Sequence, residues 1–190
     1  MSTDTAWMTP AGERLLDAAS ELFYTRGIRA VGVDTIAQVA GTTKKTLYDR
    51  FGSKDRLVAL YLERRAERWQ TFVLAYLAEH APRPGTKRVL AVLDALEVWL
   101  AQHTAGCGFV NAYAEIGKSD HPGVAVIRAD KQWIRELYQR LVREAGLRSP
   151  GRKAAQLTLV HEGAIVLATA GGQADAIRQA RSAATALLAA

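Results

Sequence analysis

The sequence contains a single cysteine, Cys107, among 190 residues, which excludes an internal disulfide framework. Proline is also scarce, with 5 residues, whereas alanine and leucine are abundant, and this composition favours an all-helical fold. No apolar run is long enough to span a bilayer, and no strand-like alternation is sustained. The N-terminal stretch MSTDTAWMTPAGER lacks the layout of a signal peptide, so we expect a cytoplasmic protein with no membrane partner.

Apolar residues make up 49% of the chain, which is enough for a substantial core. The net charge is +6, which fits a nucleic-acid or other anionic partner but is a weak signal alone. Locally the excess is clearer, because five basic residues stand against two acids between positions 44 and 56. The five basic residues are Lys44, Lys45, Arg50, Lys54 and Arg56, and the acids are Asp49 and Asp55.

Capping residues and glycines mark the ends of the N-terminal helices. Thr9 followed by Pro10 begins the first helix, because Pro suits the first helical position, and Gly27 ends it. Thr43 is placed to cap a short helix, and Ser53 is placed to cap the long helix that follows it.

The pattern predicts an all-α protein of about nine helices: three short N-terminal helices, a long connecting helix and a helical body. We place a helix-turn-helix domain at residues 1–52, and a ligand-binding and dimerisation domain, which begins with the connecting helix, at residues 53–190. The predicted helices lie at about 10–26, 33–40, 44–51, 54–79, 86–104, 109–117, 122–146, 152–170 and 173–189.

Two short helices joined by a tight turn form the helix-turn-helix pattern, in which the second helix enters the major groove of DNA. Leu47 and Phe51 are four residues apart, so they give this second helix one apolar face for docking. Its other face and its N-terminus carry donors suited to phosphates and base edges. The predicted DNA-binding residues are Thr43, Lys44, Lys45, Thr46, Tyr48 and, at the start of the next helix, Lys54.

The segment TIAQVAGTTKKTLYDRFGSKDRLV strongly resembles the DNA-binding domain of the tetracycline-repressor (TetR/AcrR) family of transcriptional regulators. The specific resemblance covers about residues 10–60. It implies a homodimer that binds a palindromic double-stranded DNA operator, represses transcription, and is released by an unknown small-molecule effector in the C-terminal body. By this likeness Thr46 and Tyr48 contact phosphates, Lys44 and Lys45 reach base edges or backbone, and Lys54 holds a phosphate.

Two positions depart from the family pattern. Asp49 places an acid on the face that should approach DNA, where it either accepts from a cytosine amino group or pairs with a neighbouring basic residue. Gly32-Val33 stands where the family often has a hydroxyl cap, so one common phosphate contact is expected to be missing.

The helical body carries two sets of residues with expected roles. Taken singly, each of its aromatic residues is best explained by core packing, but as a set they could line an apolar cavity. The expected pocket residues are Trp69, Phe72, Trp99, Phe109, Tyr113 and Trp133. The last two helices are rich in small apolar residues on more than one face, as a four-helix bundle shared by two subunits requires. The expected interface residues are Leu159, Val160, Ile165, Ala184 and Leu187.

No catalytic set, metal site or cofactor is expected. His103 and Cys107 are four apart, but glycines flank the cysteine and no third ligand is near in sequence. An enzyme with a helical core would need clustered polar groups that the sequence does not offer. The remaining alternative is a helical adaptor that uses the basic patch for another acidic partner.

Overall fold

The computed structural model describes residues 9–190, and these residues form nine α-helices and no strand. The prediction about the first eight residues, that they begin no signal peptide, lies outside the described part. The helices are α1 (Pro10–Arg26), α2 (Val33–Val39), α3 (Lys44–Phe51), α4 (Lys54–His80), α5 (Thr86–Gln102), α6 (Gly108–Ile116), α7 (Gly123–Glu144), α8 (Pro150–Ala168) and α9 (Ala176–Ala189).

The all-α fold with an N-terminal three-helix arrangement is confirmed, and most bounds fall within two residues of the prediction. Two of the differences have local causes. Helix α8 begins at Pro150, two residues early. Proline is suited to the first helical position because the N–H group that it lacks would have no partner within the helix there. Helix α9 begins three residues late, because Gly171 and Gly172 extend the turn that precedes it.

The chain divides into two compact units. The first comprises residues 1–65 and 108–127, of which the structure describes residue 9 onward: α1 to α3, the start of α4, α6 and the start of α7. Within it α1, α2 and α3 pack against one another. Thr9 caps α1 by accepting a hydrogen bond from the Gly12 N–H, and Arg64 of α4 pairs with Glu13 and Asp17 of α1.

The second unit comprises residues 66–107 and 128–190. It holds the remainder of α4, all of α5, most of α7, and the pair α8 and α9, with α9 packed on both α8 and α5. Its core is an apolar cluster drawn from all five helices, with Leu77, Leu93, Leu137 and Leu157 among its fully buried side chains. The spatial division groups residues 108–127 with the first three helices, so the functional boundary at residues 52 and 53 stays a prediction.

A buried polar pair lies in the second unit. The Tyr138 hydroxyl and His161 Nδ1 share a hydrogen bond of 3.1 Å, and both side chains are almost fully buried. Burial, together with the nearby Lys131 ammonium, lowers the pKa of His161 from 6.5 to about 3. His161 is therefore neutral in the folded protein at any pH near neutrality.

This pair makes stability depend on pH. Because the folded-state pKa of His161 lies below the unfolded value, the unfolded chain binds more protons between pH 3 and 6.5. We expect acidification from pH 7 to pH 5 to lower the free energy of unfolding by about 2 kcal/mol through this group. Urea unfolding at the two pH values measures the difference. His161→Gln should be less stable at pH 7 yet lose less on acidification; an equal loss in both proteins would contradict the assignment.

Candidate nucleic-acid interface

Helix α3 is held in place by a cap and two apolar anchors. Thr43 accepts a hydrogen bond from the Thr46 N–H at 3.1 Å, and the two threonine hydroxyls lie 2.9 Å apart. Leu47 has no exposed surface and Phe51 is buried, so this side of the helix faces the interior of the unit. Gly52 ends α3 with φ of 73°, which glycine adopts without strain. These contacts fix which side of α3 remains outward.

The outward side carries the predicted DNA-binding residues. Thr43, Lys44 and Lys45 are exposed, Thr46 is half-buried, and the Tyr48 side chain is 43% exposed. The first backbone N–H groups of a helix lack an intrahelical partner and attract anions, so they supplement these side chains. Together Thr43, Lys44, Lys45, Thr46 and Tyr48 form the accessible N-terminal part of α3, which we name the α3 edge.

Acidic residues pair with both lysines of α3. Lys44 Nζ lies 3.2 Å from Asp34 Oδ2 of α2, and Lys45 Nζ lies 2.7 Å from Asp49 Oδ2. All four side chains are more than half exposed, so each ion pair contributes little to stability. Of the two roles open to Asp49, the structure shows the pairing with a basic neighbour.

Lys54 is placed differently from the residues of α3. Its ammonium donates to the Ile28 carbonyl at 2.6 Å and lies 5.8 Å from the centre of the Phe23 ring. Desolvation lowers the pKa of Lys54, and the negative charges of Glu115 and Asp55 oppose that change. The side chain is thus engaged within the unit, a contact that no sequence pattern indicated. Its predicted phosphate contact stays a prediction.

As predicted, the start of α2 lacks a hydroxyl cap. Gly32 precedes the helix in extended conformation and offers no side-chain cap. A Cβ atom added at Gly32 would meet no atom within 4 Å, so the position has room for a larger residue.

The expected pocket residues fall into two groups. Trp69, Phe72 and Trp99 contact one another in the second unit, with ring centroids 5.3 to 6.3 Å apart. Trp133 packs partly buried against the same core. Phe109 and Tyr113 belong to α6 in the first unit, where Phe109 is buried and Tyr113 is 47% exposed. Within the second unit, the structure thus brings Trp69, Phe72 and Trp99 together.

The expected interface residues also differ in exposure. Leu159 is 74% exposed, and Val160 and Leu187 are half-buried. Ile165 and Ala184 are instead buried in the core of the second unit, so they have almost no surface to offer another chain. The sequence missed the actual exposed stripe of α8, which helical spacing from Leu159 would have indicated. It consists of Leu159, Gly163, Val166 and Leu167.

The described residues contain neither a clustered set of metal ligands nor a membrane-spanning helix. Within residues 9–190, no group of three or more His, Cys, Asp or Glu side chains is arranged to hold a metal ion. No helix among these residues is both long and apolar enough to cross a membrane.

Comparisons with known proteins agree on one family. The model for bacterial regulatory proteins of the tetR family matches residues 15–60. A TetR transcriptional regulator from Streptomyces avermitilis is 30% identical, with a TM-score of 0.75 over 93% of this chain and 98% of that one. A TetR-family regulator from Streptomyces coelicolor is 26% identical, with a TM-score of 0.84 over 94% of each chain.

Two curated relatives match part of this chain. An uncharacterized HTH-type transcriptional regulator of Mycobacterium tuberculosis is 30% identical over 88 residues, 46% of this chain and 43% of the relative. The HTH-type transcriptional activator FasR of Mycolicibacterium smegmatis is 46% identical over 61 residues, 30% of this chain and 28% of that protein. The match thus spans less than half the length of each of these relatives.

The Lys45–Asp49 pair generates a prediction. Asp49→Asn removes the acid that neutralises Lys45, so the freed ammonium gains a phosphate and DNA binding tightens. The slope of log K against log salt should steepen by about 0.9, the value for one more neutralised phosphate. Fluorescence anisotropy over a salt series measures it, with Glu21→Gln on α1 as the control for charge alone. Weaker binding with an altered base preference would show that Asp49 reads cytosine instead.

Proposed function

The chain belongs to the TetR family of transcriptional regulators, and from that membership we propose that it represses transcription as a homodimer on a palindromic operator. A small molecule entering the helical body would release the DNA. The observation that carries the proposal is α3: its apolar side is buried, while its lysines, hydroxyls and Tyr48 remain accessible on one edge. The edge fits a major groove, which admits one α-helix.

The contacts divide by chemistry. Tyr48 and Thr46 offer hydroxyls suited to phosphate oxygens, which fix position without reading sequence. Lys44 and Lys45 are the candidates for base edges, since an ammonium donates well to the acceptors of guanine. FasR bears the name of an activator, and either direction of regulation needs the same DNA contact. We propose repression because the family resemblance implies it.

A second copy of the chain is the proposed partner of the α8 stripe. Leu159, Val166 and Leu167 are large apolar side chains exposed along one side of α8, and Gly163 between them admits close approach of another helix. The neighbouring α9 exposes the small residues Ala183 and Ala186. Two such pairs of helices would form a four-helix bundle. Dimerisation also matters for affinity, because two half-sites one helical turn apart then bind as one unit.

The effector is proposed to bind in the second unit, against Trp69, Phe72 and Trp99. Phe72 and Trp99 are only partly buried although they pack against the apolar core, so they present aromatic surface at its edge. Such surfaces are typical walls of small-molecule sites. We infer an effector with an apolar or aromatic body. Its identity is open to mass spectrometry of whatever co-purifies with the protein.

DNA binding by the wild-type protein tests the proposal. We expect selective binding to the duplex from upstream of its own coding region, compared with a scrambled duplex of equal length. Between 50 and 200 mM salt the affinity should fall on the order of 10³-fold, as for several neutralised phosphates. Anisotropy titration measures both effects. Equal affinity for both duplexes at every salt concentration would favour the adaptor alternative.

Leu159→Arg tests the dimer. A charge at the most exposed residue of the apolar stripe should yield monomers by light scattering and lower operator affinity roughly 100-fold or more, because one half-site binds alone. Ala129→Arg is the matched control, since it adds the same charge at an exposed position of α7 away from the stripe. A dimeric Leu159→Arg protein would contradict this interface.

A further inference from the structure

The connection between α1 and α2 is bound by a carboxylate from a distant helix. Glu115 of α6 accepts hydrogen bonds from the backbone N–H of Ile28 at 2.8 Å and of Arg29 at 2.6 Å. The Arg29 guanidinium in turn donates to the Glu115 main-chain carbonyl at 2.6 Å. Three hydrogen bonds therefore join Glu115 to two residues that are 87 and 86 positions away in sequence, within the same compact unit.

The other side of the connection is bound as well. Lys54 of α4 donates to the Ile28 carbonyl, so both the N–H and the carbonyl of Ile28 are held by charged side chains. Charge-assisted hydrogen bonds of this kind are about twice as strong as neutral ones. Position 28 is thus fixed between α4 and α6.

Gly27 makes the arrangement possible. Its φ of 87° ends α1, and a Cβ atom there would lie 3.1 Å from Glu115 Oε1. A larger residue would be strained by its backbone and would also crowd the carboxylate. The glycine that stops α1 therefore also makes room for Glu115.

The bound connection leads directly into the DNA-binding helices. Helix α2 begins at Val33, four residues beyond Arg29, and α3 packs on both α1 and α2. Any shift of the connection changes how α2 is set against α1, and hence the placement of the α3 edge. We propose that Glu115 is a positioning residue for DNA binding, which holds the α1–α2 connection so that α3 meets the groove in a productive orientation. This inference rests on the proposed function.

The direction in which DNA affinity changes on substitution of Glu115 distinguishes a positioning role from a purely electrostatic one. Glu115 is an anion in the unit that binds DNA, so removing its charge would, through electrostatics alone, leave binding unchanged or tighten it. Loss of positioning weakens binding instead. Glu115→Asp keeps the charge but shortens the side chain by one methylene, so it withdraws the carboxylate from Ile28 and Arg29.

The experiment compares Glu115→Gln, Glu115→Asp and the control Asp120→Asn, an exposed carboxylate of the same unit. Affinity for the upstream duplex is measured by anisotropy and corrected for the folded fraction from circular dichroism. We expect both Glu115 variants to bind roughly tenfold more weakly and the control to bind no more weakly than wild type. A purely structural role would lower the melting temperature and leave the corrected affinity unchanged, which would overturn the proposal.

Amide hydrogen exchange of the DNA-free proteins provides the independent measurement. Exchange at Ile28 and Arg29 should be roughly tenfold faster in both Glu115 variants than in wild type. Unchanged exchange, or Glu115 variants that bind DNA as tightly as wild type, would overturn the inference. If the wild-type protein bound no duplex selectively, the proposed function would fail, while the exchange result would still decide whether Glu115 holds the connection.

Discussion

The burial of Leu47 and Phe51 is the constraint on which the DNA-binding surface depends. Helix α3 has only eight residues, too few for a stable helix in water, so packing must hold it. With those two side chains buried, Lys44, Lys45 and Tyr48 remain exposed on the rest of the helix surface. Function at this surface is therefore a consequence of core packing on the opposite side of one short helix.

Charged side chains of the first unit are paired both on α3 and at the connection before α2. Asp34 and Asp49 pair with the lysines of α3, and Glu115 and Lys54 hold the peptide groups before α2. Exposed pairs exchange readily for phosphate contacts, because little energy binds them in water. The contacts at Ile28 are partly buried and cannot be replaced so readily, so they hold the connection between α1 and α2 in place. Acidic and basic residues thus have two roles in this unit: the exposed ones are available for phosphate contacts, and the partly buried ones fix the backbone.

The sequence predicted those structural features that depend on residues adjacent in the chain. The bounds of α3, its Thr43 cap, and the uncapped start of α2 at Gly32 all follow from residues adjacent in sequence. Contacts between distant segments did not follow: Lys54 reaches Ile28, and Glu115 reaches Arg29, because of how α4 and α6 pack. Likewise Ile165 and Ala184 looked equivalent to Leu159 in sequence, and only tertiary packing separates their buried side from its exposed one.

Photocrosslinking at two matched tyrosines tests directly whether α3 is the helix that contacts DNA. Tyr48 on α3 and Tyr113 on α6 are exposed to similar extents, 43% and 47%, in the same unit. Each is replaced in turn by benzoylphenylalanine, and the protein is irradiated with the upstream duplex. If α3 enters the groove, crosslinks to DNA form from position 48 and none form from position 113. Crosslinks from position 113 alone, or equal yields from both, would contradict the placement of α3 in the groove.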